Sequence, residues 1–211
     1  MVNGIWSSTQ LQHLIKTRRS IRRYTADEVD LALVLNLLET AMYAPSAHNR
    51  QPWRFAIVTS MADKIRLAKN MGNRLRTDRT KDGDDPIDIE RDVTRSYSRL
   101  TGAPVLIIVC LSMADMDSYP DSIRNQHEWT MAVQGTAMAA QNFLLLAHAA
   151  ELSACWLCAP LFVPDLVRET LDLAADWHPQ GIITLGHAAR GSRLGQVAHQ
   201  KKSEKIVIVS A

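Results

Sequence analysis

Pro45 to Phe55 read PSAHNRQPWRF. Pro45 and Pro52 forbid a continuous helix across this stretch, since each lacks an N–H and fixes φ. Between them Ser46, His48, Asn49, Arg50 and Gln51 crowd donors and acceptors onto one loop. Trp53, Phe55, Ile57 and Val58 then open an apolar run of strand type. A rigid polar loop feeding a buried strand can hold a polar, aromatic ligand. About a helix length upstream, Arg18, Arg19, Arg22 and Arg23 surround Ser20 and Ile21 and lead to Tyr24. Guanidinium forks suit phosphate oxygens, and Ser20 adds a hydroxyl and a backbone N–H. The ligand this combination predicts is therefore anionic as well. The plainer reading of four arginines taken alone is a solvated charged run.

The remaining candidate chemistry is thin. No G-x-G-x-x-G follows a strand and no G-x-x-x-x-G-K-[ST] is present, so Rossmann and P-loop nucleotide sites are unsupported. Cys155 and Cys158 form a C-x-x-C, but zinc needs two further ligands, and a thioredoxin-like pair would open a helix rather than end a strand. Buried small hydrophobes are the plainer reading of both thiols. Seven histidines show no H-E-x-x-H spacing, and no G-x-S-x-G elbow appears. The side chains are equipped to hold a ligand and poorly equipped for difficult chemistry, as in proteins whose cofactor carries the reaction.

These residues need elements to position them. Apolar spacing predicts helices over 9–17, 31–43 and 62–71, with a strand over 53–59. Residues 72–92 hold a dense run of charge and a Lys-Asp-Gly-Asp-Asp turn, which reads as a solvated insertion or a lid. A helix over 92–100, a fully buried strand over 105–111 and a loop over 112–127 follow. Met131 to Ala150 is long enough to span a bilayer. Gln134, Gln141, Asn142 and His148 interrupt it, so it reads as a buried helix packed on several sides, as in a large core or a dimer. Further strands are expected at 154–157, 182–185 and 206–209, with a proline-initiated helix at 164–171. The strand at 206–209, isolated behind a basic linker, suggests pairing with a partner chain's sheet edge.

A length of 211 residues fits one domain spanning 1–211, and interspersed helices and strands indicate an α+β fold. A formal charge of +2 does not favour nucleic acid or anionic membrane as a partner. Three cysteines and an N-terminus without signal-peptide features make the cytoplasm the expected compartment.

RRSIRRY, a helix, then PSAHNRQPWRF resembles in order and spacing the two N-terminal signatures of the FMN-dependent nitroreductase superfamily. The residues around Cys155 and the strand end at Leu185-Gly186-His187 extend the likeness. Within the superfamily, Asp78–Gly83, Ser118–Asp121, His127–Met131 and above all Ser153–Gly186 are similar to the C-terminal flavin domain of the coenzyme F-420 γ-glutamyl ligase of actinobacteria. The ligase half has no counterpart here, so ligase activity is not carried over. The resemblance implies a central mixed or antiparallel sheet surrounded by helices, an intertwined homodimer, and FMN bound between subunits.

By position, Arg18, Arg19 and Ser20 would hold the FMN phosphate, and Arg22 the pyrimidine edge. Pro45, Ser46, Ala47, Asn49 and Gln51 belong to the second motif, which comes from the other subunit in this family. Cys158 and Ala159 would lie at the flavin N5, where a backbone N–H donates. Arg95 falls near a ring-contacting position, and Lys201 and Lys202 occupy the basic position that completes the phosphate site. The implied activity is hydride transfer from N5 to a conjugated acceptor, such as a dehydro precursor of a deazaflavin coenzyme, with NAD(P)H as donor. The alternatives are an oxygen-dependent, FMN-fragmenting enzyme like dimethylbenzimidazole synthase, whose loop resembles PSVGLMQPW instead, and a non-catalytic flavin or deazaflavin binder.

Overall fold

The computed structural model describes residues 7–192. In chain order it has α1 (Ser8–Thr17), α2 (Leu31–Ala41), β1 (Trp53–Val58), α3 (Met61–Lys81), α4 (Pro86–Thr101), β2 (Val105–Ser112), α5 (Ser122–Ala149), β3 (Ser153–Leu157), α6 (Pro164–Thr170) and β4 (Trp177–Gly186). The strands form one sheet in the order β1-β2-β4-β3, every neighbouring pair antiparallel. The α+β expectation is met.

Alternation along β2 builds both cores. Val105, Ile107 and Val109 face a layer of α2 and α5, where Val34, Leu38, Phe143 and Ala147 pack. Leu106, Ile108 and Cys110 face α3, α4 and α6, where Leu67, Met71, Leu100 and Val167 pack. Successive strand residues point to opposite faces, so a strand covered on both sides reads as an unbroken apolar run. Trp156 lies flat on β4: a Cβ on Gly181 would come within 2.3 Å of the indole, which explains the missing side chain there.

Local chemistry accounts for the helix starts. Ser7 and Gln10 form a reciprocal capping box at α1, while Asp30, Ser60, Asp85 and Asp121 accept backbone N–H bonds at the starts of α2, α3, α4 and α5. Pro86 and Pro164 open α4 and α6.

Residues 72–92 do not form a lid or loose insertion. α3 continues through Lys81 and α4 begins at Pro86, giving a helical hairpin with Gly83 at φ 81° in its turn. Its charges are paired: Arg74 with Asp78, Arg76 with Glu90, Arg79 with Asp84 and Asp92, and Arg91 with Asp88. Likewise α5 starts at Ser122, inside the stretch expected as a loop, because Asp121 caps it. β4 begins at Trp177, five residues earlier than periodicity indicates, since the polar His178 and Gln180 interrupt its apolar pattern.

α5 is not enclosed on all sides within one chain. Gln134, Ala137, Met138 and Gln141 form an exposed face, and Leu11 and Ile15 of α1 are about half exposed. The strand expected at 206–209 lies outside the described residues. Among the described residues no helix is long and apolar enough to cross a membrane.

Candidate functional site

The segment after α1 runs extended along the outer edge of β3. Ser20 bridges Ala154 in parallel fashion, and the Ile21 N–H donates to the Ala154 carbonyl at 3.2 Å. Tyr24 fastens its far end. The Tyr24 hydroxyl meets the Ile21 carbonyl at 2.6 Å and the Thr184 Oγ1 at 2.6 Å, and burial raises its pKa well above the ordinary phenol range. The arginines are therefore displayed from an anchored strand edge, not from a free tail.

Alternation splits the cluster. Ser20 bridges Ala154 beside Cys155, and Arg22 Nη1 turns back to donate to the Ser20 carbonyl at 3.3 Å. Burial raises the Cys155 pKa, against the pull of Arg22, Ser20 and Arg99, so the thiol stays neutral. Arg19 turns elsewhere: its Nη1 donates to the carbonyls of Lys16 at 2.6 Å and Arg18 at 2.8 Å, occupying acceptors at the end of α1. Arg18 and Arg19 line a cavity of about 250 Å³ with Thr17, His148, Leu152 and Ser153. His148 Nε2 sits 3.0 Å from the Thr17 hydroxyl, and its pKa is lowered by burial and then by Arg18, Arg19 and His13. Within this arginine-rich end the Arg19 Nε is buried with no partner among the described residues.

α4 adds two cations from the other side. Arg95 and Arg99 lie one helical turn apart on α4, and burial, followed by the charges of Arg22 and Arg95, lowers the Arg99 pKa. Sequence reasoning missed Arg99. Its signal was the four-residue spacing from Arg95, inside the helix already expected over 92–100. At the opposite end of β3, Cys158 and Ala159 leave the strand into a short 3-10 turn over Ala159–Phe162. Cys158 is exposed, contrary to its reading as a buried hydrophobe, because β3 ends one residue earlier. Its Sγ accepts from Trp156 Nε1 at 3.1 Å, while Cys155 points to the other face of the strand. Alternation thus separates the two thiols.

The PSAHNRQPW loop is built differently. His48, Asn49 and Gln51 adopt φ of 49°, 54° and 50°. Non-glycine residues in this region cost of order 1–3 kcal/mol each and cluster at functional sites. The strain is held by local bonds: Asn49 N–H to Ser46 O and Arg50 N–H to Ala47 O, both 3.0 Å, and Gln51 N–H to Ser46 Oγ at 3.0 Å. Arg50 pairs with Asp117, and Arg54 with Asp115 at 2.8 Å, tying both flanks to the loop after β2. A Cβ on Gly135 of α5 would lie 3.3 Å from Ser46 Cβ, so that glycine lets the loop approach the helix. Pro45, His48, Asn49 and Gln51 remain exposed.

The two motifs do not meet within one chain. The loop leads into β1, at one edge of the sheet and beside Leu111 of β2; Ser20 pairs at the opposite edge, near the Val105–Leu185 end. Three strand spacings across and about six residues along put roughly 14 Å by about 20 Å of sheet between them. Lys201 and Lys202 lie outside the described residues. Lys64, although buried, is no site candidate: its ammonium donates to the Ala103 and Pro104 carbonyls at 2.8 and 3.1 Å. Among the described residues no group of three His, Cys, Asp or Glu side chains could hold a metal.

The family profile "Nitroreductase family" matches residues 15–187, from the end of α1 to the end of β4. The chain belongs to the nitroreductase family. Among nitroreductase-type relatives, a provisionally named NADH dehydrogenase/NAD(P)H nitroreductase of Methanothermobacter thermautotrophicus is 31% identical over 157 residues, covering 74% of this chain and 64% of that protein. The chain spans less than two thirds of the length of the curated relatives it matches. A provisionally named nitroreductase from Desulfovibrio desulfuricans, solved in complex with FMN, superposes with a TM-score of 0.71 at 25% identity, covering 97% of this chain and 99% of that one. A BluB-like flavoprotein from Clostridium difficile shares the nitroreductase fold at a TM-score of 0.76 and 19% identity, covering 95% and 99% of the two chains.

Proposed function

We propose that this protein is an FMN-dependent oxidoreductase acting as a homodimer in the cytoplasm, with each site assembled from two chains. The observation that carries this reading is the separation of the motifs: two loops suited to one ligand stand at opposite edges of a single sheet. A partner chain brings them together. The exposed Ala137–Met138 face of α5 and the half-exposed Leu11 and Ile15 supply apolar surface for such an interface.

The residues fit FMN. Arg18, Arg19 and Ser20 would hold the phosphate end, and the unpartnered Arg19 Nε is a donor awaiting an acceptor there. Lys201 and Lys202 would complete that end. Arg22 would meet the pyrimidine edge, with Arg95 beside it. Cys158 and Ala159 would contact the central ring through backbone. Pro45, Ser46, Ala47, Asn49 and Gln51 of the partner chain would close the site from the other face and exclude water. Bound FMN would supply the redox chemistry, taking a hydride from NAD(P)H and passing it from N5 to a conjugated acceptor. A dehydro precursor of a deazaflavin coenzyme is the acceptor implied by the resemblance to the F-420 ligase flavin domain.

The test is a spectrum of the purified protein. Flavin absorbance that bleaches anaerobically with NAD(P)H and returns with the acceptor is expected. Consumption of the flavin under oxygen would instead indicate a fragmenting enzyme, and an inert flavin a binding protein. Light scattering checks the assembly. A monomer carrying one FMN per chain would refute the shared site.

A further inference from the structure

The cavity lined by Arg18 and Arg19 contains one further ionisable group, His148. Thr17, Arg18 and Arg19 line it from the end of α1 and the segment that follows, His148 from the last turn of α5, and Ser153 from the first residue of β3. At about 250 Å³ it has room for a phosphate group. Arg18, Arg19 and His148 are each half-buried. Hydrogen bonding fixes the imidazole. The single proton of the Thr17 hydroxyl goes to the His13 carbonyl at 2.8 Å, so at the 3.0 Å contact His148 Nε2–H is the donor. The second ring nitrogen, Nδ1, makes no hydrogen bond among the described residues and is the one that can take up a proton.

Nothing in the flavin-free chain favours that second proton. Burial disfavours it first, and then Arg18, Arg19 and His13 of α1, all of like sign when charged. Among the described residues no carboxylate lies within 4.0 Å of His148, Arg18 or Arg19, and Arg19 Nε has no hydrogen-bond partner. Glu151, three residues beyond His148, is exposed and pairs with none of them. A phosphate ester entering the cavity reverses this balance, since it brings a charge of about −1.5 to −2 at pH 7. We infer that His148 is a further phosphate-binding residue, which takes up a proton from solvent as FMN enters and holds the phosphate together with Arg18 and Arg19. This rests on the FMN reading above. Thr17 then has a defined part: as acceptor at Nε2 it fixes the tautomer, so that the incoming proton goes to Nδ1. The loaded protein holds more protons than its free components, so FMN binds more tightly as pH falls from 8 to 6.5.

Calorimetric titration of the flavin-free protein with FMN at pH 7, in buffers of different ionisation enthalpy, counts the protons exchanged. Uptake of about half a proton or more per FMN is expected. Arginine contacts alone predict the opposite sign, because they hold the phosphate as its dianion and expel the proton that a minority of free FMN still carries. Riboflavin, which lacks the phosphate, should bind without uptake. In His148→Gln the uptake should vanish and FMN affinity at pH 6.5 should fall by roughly tenfold. His127→Gln, at an exposed position of α5, should keep both. Release or no exchange by the wild type, equal uptake with riboflavin, or undiminished uptake in folded His148→Gln overturns the inference. The sign of exchange in the wild type decides even where the variant does not fold. Protein that binds no FMN refutes the cofactor reading instead, and inorganic phosphate titrated into the same protein then reports on His148 through the same proton count.

Discussion

Two regions of this chain are equally rich in charge and have opposite fates. In the hairpin between α3 and α4, arginine after arginine meets a carboxylate: Arg74 with Asp78, Arg76 with Glu90, Arg79 with Asp84 and Asp92. Along the edge of β3, among the described residues, Arg18, Arg19, Arg22 and Arg23 have no such partner and Arg19 Nε has no hydrogen-bond partner. Charge density therefore does not mark a site. Charge that the fold anchors but leaves without a carboxylate partner is, by contrast, available to an anionic ligand.

The contrast can be broken most directly at Arg18. Arg18→Ala should weaken FMN binding by roughly ten- to hundredfold, the worth of a charge-assisted phosphate contact of about 1.5–3 kcal/mol, while circular dichroism stays native. Fluorescence titration with FMN measures it, and unchanged retention would return the cluster to the solvated reading.

Cys155→Ser with Cys158→Ala probes whether the two thiols of β3 and its exit take part. FMN reduction and acceptor turnover should both persist. The stability cost should be about 1–3 kcal/mol, from the buried hydroxyl at position 155. Loss of turnover with flavin reduction intact would restore a redox role.

A smaller effect is expected from pH. His148 has a folded-state pKa below its ordinary 6.5, owing to burial and then to Arg18, Arg19 and His13. A group of this kind binds fewer protons folded than unfolded, so its contribution to stability is fully present above about 6.5 and falls as pH drops towards the folded pKa. Thermal melts between pH 7 and 5 should show that loss, and His148→Gln should flatten it. An identical pH profile in the variant would exclude His148 as its source.

The smallest change belongs to the hairpin. Arg76→Ala removes an exposed, solvent-screened pair with Glu90, and should leave both stability and FMN affinity close to those of the wild type. A large loss of flavin would show that the hairpin is part of the site after all.

Much of this was legible in the chain itself, for local reasons. Apolar spacing announced the helices over 9–17 and 31–43, and VLIIVCL a strand buried on both faces, whereas the caps Asp85 and Asp121 set starts that spacing alone did not reveal. The prolines and polar crowding of 45–52 pointed to a constrained loop, and the left-handed residues within it agree. Even the hairpin had a local signal, in pairs such as Arg74–Asp78 and Asp88–Arg91, that its overall polarity masked. What only tertiary structure decided is which charges find partners. Arg76 meets Glu90 and Arg79 meets Asp92 across the hairpin, whereas Ser20 is bridged to Ala154, more than a hundred residues away in the chain. Sequence position also hides that the two motifs stand at opposite sheet edges, since strand order, unlike strand propensity, is set by long-range packing.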